Sequence, residues 1–275
     1  MSSQISNHGD KPIGSSAANH AGIPMGNRFL ESLSFQSRES LVSRSTSVQL
    51  PIRISLYAAE AVPEYAYFIT SGMASLVASM ADGKSAEVGV IGNEGIVGAF
   101  QLLGPAPLPT ECFIQITATA LRIRFFDLRT AFRSSEEIRD RVLEVVQEQS
   151  LCLSQLAGCN RLHEQEERLA RWLLMMQDRT QTDVMEITQE FLAQMLGAKR
   201  TTVTVVASAL QRDGLIEYKR GKIRILDRAR LEAAACGCYL VMSNLYVNLY
   251  KHPWGTAAAH KGNGELPRSA STEAS

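Results

Sequence analysis

One stretch limits the possible folds more than any other: 187–210, ITQEFLAQMLGAKRTTVTVVASAL. Its spacing predicts two short helices joined by a tight turn. Thr188 is placed to cap the first helix, and Glu190 sits in the first turn, where the helix dipole favours an anion. Phe191, Leu192 and Met195 share one face, Leu196 closes the helix, and Gly197 stands where a left-handed residue is needed. The second helix starts near Lys199. On a helical wheel Val203, Val206, Ala207 and Leu210 form an apolar stripe. Thr201, Thr204, Val205 and Ser208 lie opposite, with Arg200 and Thr202 on the flanks. A slim helix with one core face, one small polar face and a basic N-terminus suits the DNA major groove. An ordinary pair of packed helices with a solvated outer face has the same pattern.

The next residues separate the two readings. Gly214 ends the second helix, and 215–218 and 222–226 read as short strands around a Lys219-Arg220-Gly221 turn. Ile223 and Ile225 point one way, Lys222 and Arg224 the other. Lys219, Arg220, Lys222 and Arg224 put four cations into six positions, which favours phosphate contact over a merely solvated hairpin tip.

Thr188-Gln189-Glu190, Gly197, Arg200, Thr202-Val203 and Gly214-Leu215-Ile216 resemble the winged-helix domain of the Crp/Fnr transcription regulators. Tyr67-Phe68-Ile69, Gly72 and Gly95-x-x-Gly98 resemble the cyclic-nucleotide-binding-type β-roll of the same family. The resemblance implies an α+β fold: an N-terminal antiparallel β-roll, a long dimerisation helix and a C-terminal winged helix-turn-helix. It also implies a homodimer on a roughly palindromic operator, with reading helices about 34 Å apart. Double-stranded DNA is the expected partner, with RNA polymerase as a further candidate. Lys199, Thr202 and Thr188 are expected at phosphates, Arg200 at a guanine or a neighbouring phosphate, and Thr201, Thr204, Val205 and Ser208 towards the bases.

The charge distribution agrees with a nucleic-acid module. The chain of 275 residues has zero formal net charge. Residues 187–230 nevertheless hold nine Lys/Arg against four acids, while 136–186 hold eleven acids against six Arg. There is no apolar signal-like start and no run near the ~20 residues of a membrane span, so a cytoplasmic protein with reduced thiols and no membrane partner is expected.

Residues 1–27 and 251–275 are expected to be disordered tails, and 28–41 a short amphipathic helical stretch. Over 28–133 the period becomes that of strands: 52–57, 65–70, 75–80, 87–91, 112–118 and 121–125, with turns at Ser71-Gly72, 81–84, 92–95 and 104–109. Family members that bind cyclic nucleotide hold the ribose with a Gly-Glu pair and the phosphate with an Arg followed by a small hydroxyl residue. Here no Glu follows Gly98, and Pro109-Thr110-Glu111-Cys112 stands where the Arg belongs. Glu111 would repel a phosphate, so control by cAMP through that site is not expected.

Ser134 or Ser135 caps a helix over 134–160. Ile138, Val142, Val145, Gln149, Cys152, Leu156 and Cys159 follow at alternating spacings of four and three. That is a heptad seam, read here as a parallel dimer interface with Gln149 fixing register; packing on the chain's own roll is the alternative. The winged helix is expected over 161–239, with the helix continuing through His163-Glu164-x-Glu166-Glu167 as a solvated face. The five cysteines are Cys112, Cys152, Cys159, Cys236 and Cys238. None precedes Cys112, which argues against an N-terminal iron–sulfur ligand set, and no His lies in the roll to hold a haem. Cys236-Gly237-Cys238 has no matching second pair, so each cysteine is read as a small buried hydrophobe and no metal or cofactor is expected. No nucleophile–base pair stands out, so an enzyme is not expected. The expected function is sequence-specific regulation of transcription; the alternative is a small-ligand sensor acting through protein contacts.

Overall fold

The computed structural model describes residues 26–255. Helices α1 (Arg28–Glu31) and α2 (Phe35–Val42) lead into strands β1 (Ser45–Leu50), β2 (Ser55–Tyr57), β3 (Tyr65–Ser79), β4 (Ser85–Ile91), β5 (Ile96–Val97) and β6 (Thr110–Arg124). Every pairing among these strands is antiparallel. The sheet runs β1-β6-β3-β4, with β2 on β6 and β5 on β3. Two expected strand pairs are therefore single strands of 15 residues each, β3 and β6. The Ser71-Gly72 pair is not a turn. It marks a run of register shifts between Ile69 and Ala74 that bends the β3–β6 ribbon into a roll. Gly72 has φ +76°, and a Cβ there would overlap the Thr117 carbonyl oxygen and stand 2.8 Å from that of Ile116. Only glycine lets the two backbones approach that closely. Strand β1 was not anticipated, because STSVQL is mostly polar and half exposed.

The expected N-terminal tail is shorter than 27 residues, since Asn27 is fully buried. Its Oδ1 accepts from the Leu30 amide (3.1 Å), and its Nδ2 donates to the carbonyls of Ile69 and Gly95. At the other end Arg141 donates to the His252 carbonyl and Trp254 Nε1 to Asp140. The rest of both expected tails lies outside the described residues.

After α3 (Phe125–Ser134), Ser135 caps α4 (Glu136–Leu162) by accepting from the Ile138 amide. The helix does not run on: it stops at His163, and α5 (Gln165–Thr180) restarts behind a Glu164–Glu167 capping box. Strand β7 (Val184–Glu186) follows, then α6 (Gln189–Leu196), α7 (Arg200–Arg212), β8 (Ile216–Lys219) and β9 (Lys222–Ile225). The three strands form a small antiparallel sheet, β7-β9-β8. Two helices follow, α8 (Arg228–Ala234) and α9 (Cys238–Asn248), separated at 235–237.

The two domains are docked on each other. Trp172 Nε1 on α5 donates to Glu87 on β4 (2.8 Å), Gln194 on α6 donates to Ser85, and Phe113 meets Phe191 edge to face. Glu94 and Arg179 form a buried ion pair at 2.8 Å, exposed by only 3% and 4%. Desolvation works against the Arg179 charge, but Glu94 and Glu148 outweigh it and hold the guanidinium ionised. The ring of Tyr246 on α9 covers that guanidinium, and Tyr250 donates to the Glu94 carbonyl.

Candidate nucleic-acid interface

The reading module forms as its residues dictate. Thr188 caps α6, its Oγ1 accepting from the Phe191 amide at 3.2 Å. Gly197 takes the left-handed conformation (φ +60°), which turns the chain into α7. Val203, Val206, Ala207 and Leu210 are buried against α5 and α6. Opposite them Thr201, Thr204, Val205 and Ser208 are exposed, and Thr202 is half-buried. Val205 is 69% exposed in the middle of that surface. The Thr204 hydroxyl donates to the Arg200 carbonyl (3.0 Å), so towards a ligand it offers its acceptor lone pairs and its methyl.

The wing pairs as expected. Ile223 and Ile225 are buried, and Lys222 and Arg224 face out. Lys219 and Arg220 stand exposed at the tip. Lys222 is engaged by Glu186 on β7 at 2.7 Å, a strand the sequence did not reveal. Both groups are well exposed, so the pair contributes little to stability and leaves Lys222 free to exchange partners. Gln211 on α7 accepts from the Tyr218 amide and braces the wing against the reading helix. Arg168 on α5 donates to the Leu196 carbonyl and holds the turn from behind. The structure thus gathers Lys199, Arg200, Thr201, Thr204, Val205 and Ser208 on one exposed helix surface, with Lys219, Arg220, Lys222 and Arg224 on the adjoining hairpin. Sequence reasoning missed Gln189, whose Oε1 lies 3.5 Å from the Thr204 hydroxyl at the rim of that surface.

A family model described as the Crp-like helix-turn-helix domain matches residues 167–234, and one described as the cyclic nucleotide-binding domain matches residues 49–135. The chain belongs to the Crp/Fnr family of transcriptional regulators. Solved structures share its fold. FixK2 from Bradyrhizobium japonicum is 17% identical with a TM-score of 0.60, over 70% of this chain and 98% of that one. A CRP-family regulator from Thermus thermophilus is 20% identical with a TM-score of 0.59, over 68% and 96%. The c-di-GMP responsive regulator CLP of Xanthomonas campestris is 17% identical with a TM-score of 0.58, over 70% and 100%. A search of curated proteins finds no match.

In this Crp/Fnr chain a small cavity lies between the roll and α4. The cavity bounded by Leu76, Gly89, Val90, Gln149, Cys152 and Leu156 measures about 20 Å³. The heptad seam also needs correcting. Ile138, Val142 and Val145 are buried in their own subunit against Phe68, Ile96 and Ile123 of the roll, and Gln149 is buried beside Gly95. Cys152 and Leu156 pack on the core shared with α5. A period of 3.5 reports one sticky face and does not say whose surface covers it. The face of α4 left open instead carries Leu143 and Leu151, with Leu240, Val241 and Val247 exposed on the neighbouring α9.

The cysteines bring a second correction. Cys236 and Cys238 do have a matching pair in space: Cys159 and His163 at the end of α4. The Sγ atoms of Cys159 and Cys236 are 3.5 Å apart, as are Cys238 Sγ and His163 Nδ1. His163 is therefore not part of a solvated face. Among the described residues this is the group with the donors to hold a metal ion.

Proposed function

We propose that this regulator is a homodimer that reads a palindromic DNA operator, with α7 of each subunit in a major groove and the β8–β9 wing on the flanking phosphates. The observation that carries this is the exposed, small and polar surface of α7, headed by Lys199 and Arg200 and adjoining four wing cations. Arg200 takes a guanine edge or the phosphate beside it. Thr201, Thr204 and Ser208 meet base edges, and Val205 packs on a thymine methyl. Thr188, Lys199 and Thr202 hold the backbone. The dimer forms through the open face of α4, Leu143 and Leu151, extended by Leu240, Val241 and Val247 of α9. Operator binding is independent of cAMP. Glu111 stands in the place of a phosphate-binding cation and would repel a phosphate.

Selection of random duplex DNA by the purified protein, repeated across salt concentrations, tests the reading. A palindrome with a steep salt slope is expected. Arg200→Ala should cost about 1–3 kcal/mol at that site and relax one base position. Lys219→Ala should instead lower the salt slope on all sequences. Unchanged operator affinity in Arg200→Ala refutes the assignment of the reading helix. One observation favours the second reading, a small-ligand sensor acting through protein contacts. A cleft of about 620 Å³ opens between the roll and α6, lined by Arg53, Glu111, Phe113, Glu190, Phe191 and Arg220.

A further inference from the structure

We propose that Cys159, His163, Cys236 and Cys238 bind one zinc ion, which clamps the end of α4 to the α8–α9 junction. Cys159 and His163 are one helical turn apart, so both project from the same side of α4. Cys236 and Cys238 flank Gly237 at the break between α8 and α9, where the chain reverses and turns both thiols inward. All four donor atoms lie within 4.8 Å of one another, and the three cysteines are buried.

The spacing selects the ion. A tetrahedral zinc with Zn–S bonds of about 2.3 Å sets sulfurs about 3.8 Å apart, and a nitrogen ligand slightly closer. The two separations of 3.5 Å fit two edges of that tetrahedron, and a small contraction brings in the rest. A multi-iron cluster spreads its cysteine ligands over several metal atoms and needs more room than these four donors leave. Three thiolates and a neutral imidazole on zinc make a complete structural site with no open position.

The surroundings carry the charge that such a centre requires. Zinc with three thiolates bears one net negative charge. The buried guanidiniums of Arg168 and Arg171 interact with the thiols of Cys159 and Cys236. Neither arginine forms an ion pair among the described residues, and the Nε of each is buried without a hydrogen-bond partner. Arg168 also donates to the Leu196 carbonyl and Arg171 also acts on Glu87, and an anionic metal centre would balance the two positive charges that face the thiols. Gln155 adds a donor, its Nε2 lying 3.1 Å from Cys238 Sγ, as an amide supporting a metal thiolate does. The ion would fix His163, where α4 ends and α5 begins. Arg168 faces the thiols electrostatically and donates to the Leu196 carbonyl, so it links this end of α5 to the helix-turn-helix.

Metal analysis of the full chain, purified under reducing conditions without chelator, tests the proposal. About one zinc per chain is expected. After chelation, Co²⁺ titration should give a tetrahedral spectrum with thiolate-to-metal charge transfer. Thiol titration should find three of the five cysteines protected by zinc. Cys238→Ser and His163→Ala should each lower zinc affinity by more than about 100-fold, and Cys152→Ser, outside the cluster, should leave it unchanged. The wild-type readouts stand even if a cluster variant fails to fold, and none depends on DNA binding. The proposal is overturned by a metal-free protein whose thiols all react in the presence of zinc, by a Cys159–Cys236 disulfide in the reduced preparation, or by iron with acid-labile sulfide in place of zinc.

Discussion

Glu87 makes the contact between roll and DNA-binding domain sensitive to pH. Its carboxylate is half-buried on β4, under the DNA-binding domain. It accepts from Ser75 on β3 and from Trp172 on α5. Burial pushes its pKa from 4.5 up to about 7, against the opposing pull of those two hydrogen bonds and of the Arg171 and Arg179 charges. Between those two values the folded chain binds more protons than the unfolded one, so stability falls as pH rises through the window. Below pH 4.5 both states are protonated and the carboxyl contributes nothing; above 7 the full penalty applies. Linkage gives a penalty on the order of 1 kcal/mol at pH 5.5 and of 3 kcal/mol at pH 8. Glu87→Gln keeps an acceptor for Trp172 and cannot ionise. Urea unfolding of both proteins at the two pH values isolates the effect, because pH-independent consequences of the substitution cancel. The variant should gain about 2 kcal/mol on the wild type between pH 5.5 and pH 8. Parallel pH profiles would refute the argument that Glu87 resists ionisation in its half-buried site.

Two further substitutions probe the frame that positions the reading helix. Gly72→Ala combines a strained φ with backbone overlap at Thr117 and Ala118, and should destabilise the roll by at least about 3 kcal/mol in thermal or urea unfolding; a shift under 1 kcal/mol would mean that the strand bends elsewhere. Arg179→Met strands the buried Glu94 carboxylate and should cost about 3–5 kcal/mol. The double substitution Glu94→Gln with Arg179→Met should cost less than Arg179→Met alone, and the reverse order would show that the pair is not coupled.

The helix-turn-helix was legible because its signals are local. The Thr188 cap, the left-handed Gly197 and the stripe from Val203 to Leu210 each act within a turn or two of helix, and each stands where the spacing put it. What the sequence hid depends on contacts between distant residues. The stripe from Ile138 to Leu156 declared a buried face but not the surface that covers it. Ser71-Gly72 has the composition of a turn, yet with Ser71 opposite Thr119 and Met73 opposite Ile116 it becomes a bulge in a continuous strand. The thiol–imidazole group joins positions more than 70 residues apart. Its one local trace was the Cys159-x-x-x-His163 spacing on a helix, which gains meaning only once the α8–α9 break brings Cys236 and Cys238 alongside.

The path of α9 has a mechanical consequence. The DNA-binding module leaves the roll at the break after Leu162, and the segment after α9 ties it back where Arg28 donates to the carbonyls of Tyr246 and Leu249 and Tyr250 donates to the Glu94 carbonyl. The contacts of Trp172, Gln194, Phe191 and Arg179 with the roll lie away from these two joints. A reorientation that released those contacts and kept both joints would be a rotation about the line between them, with a single degree of freedom.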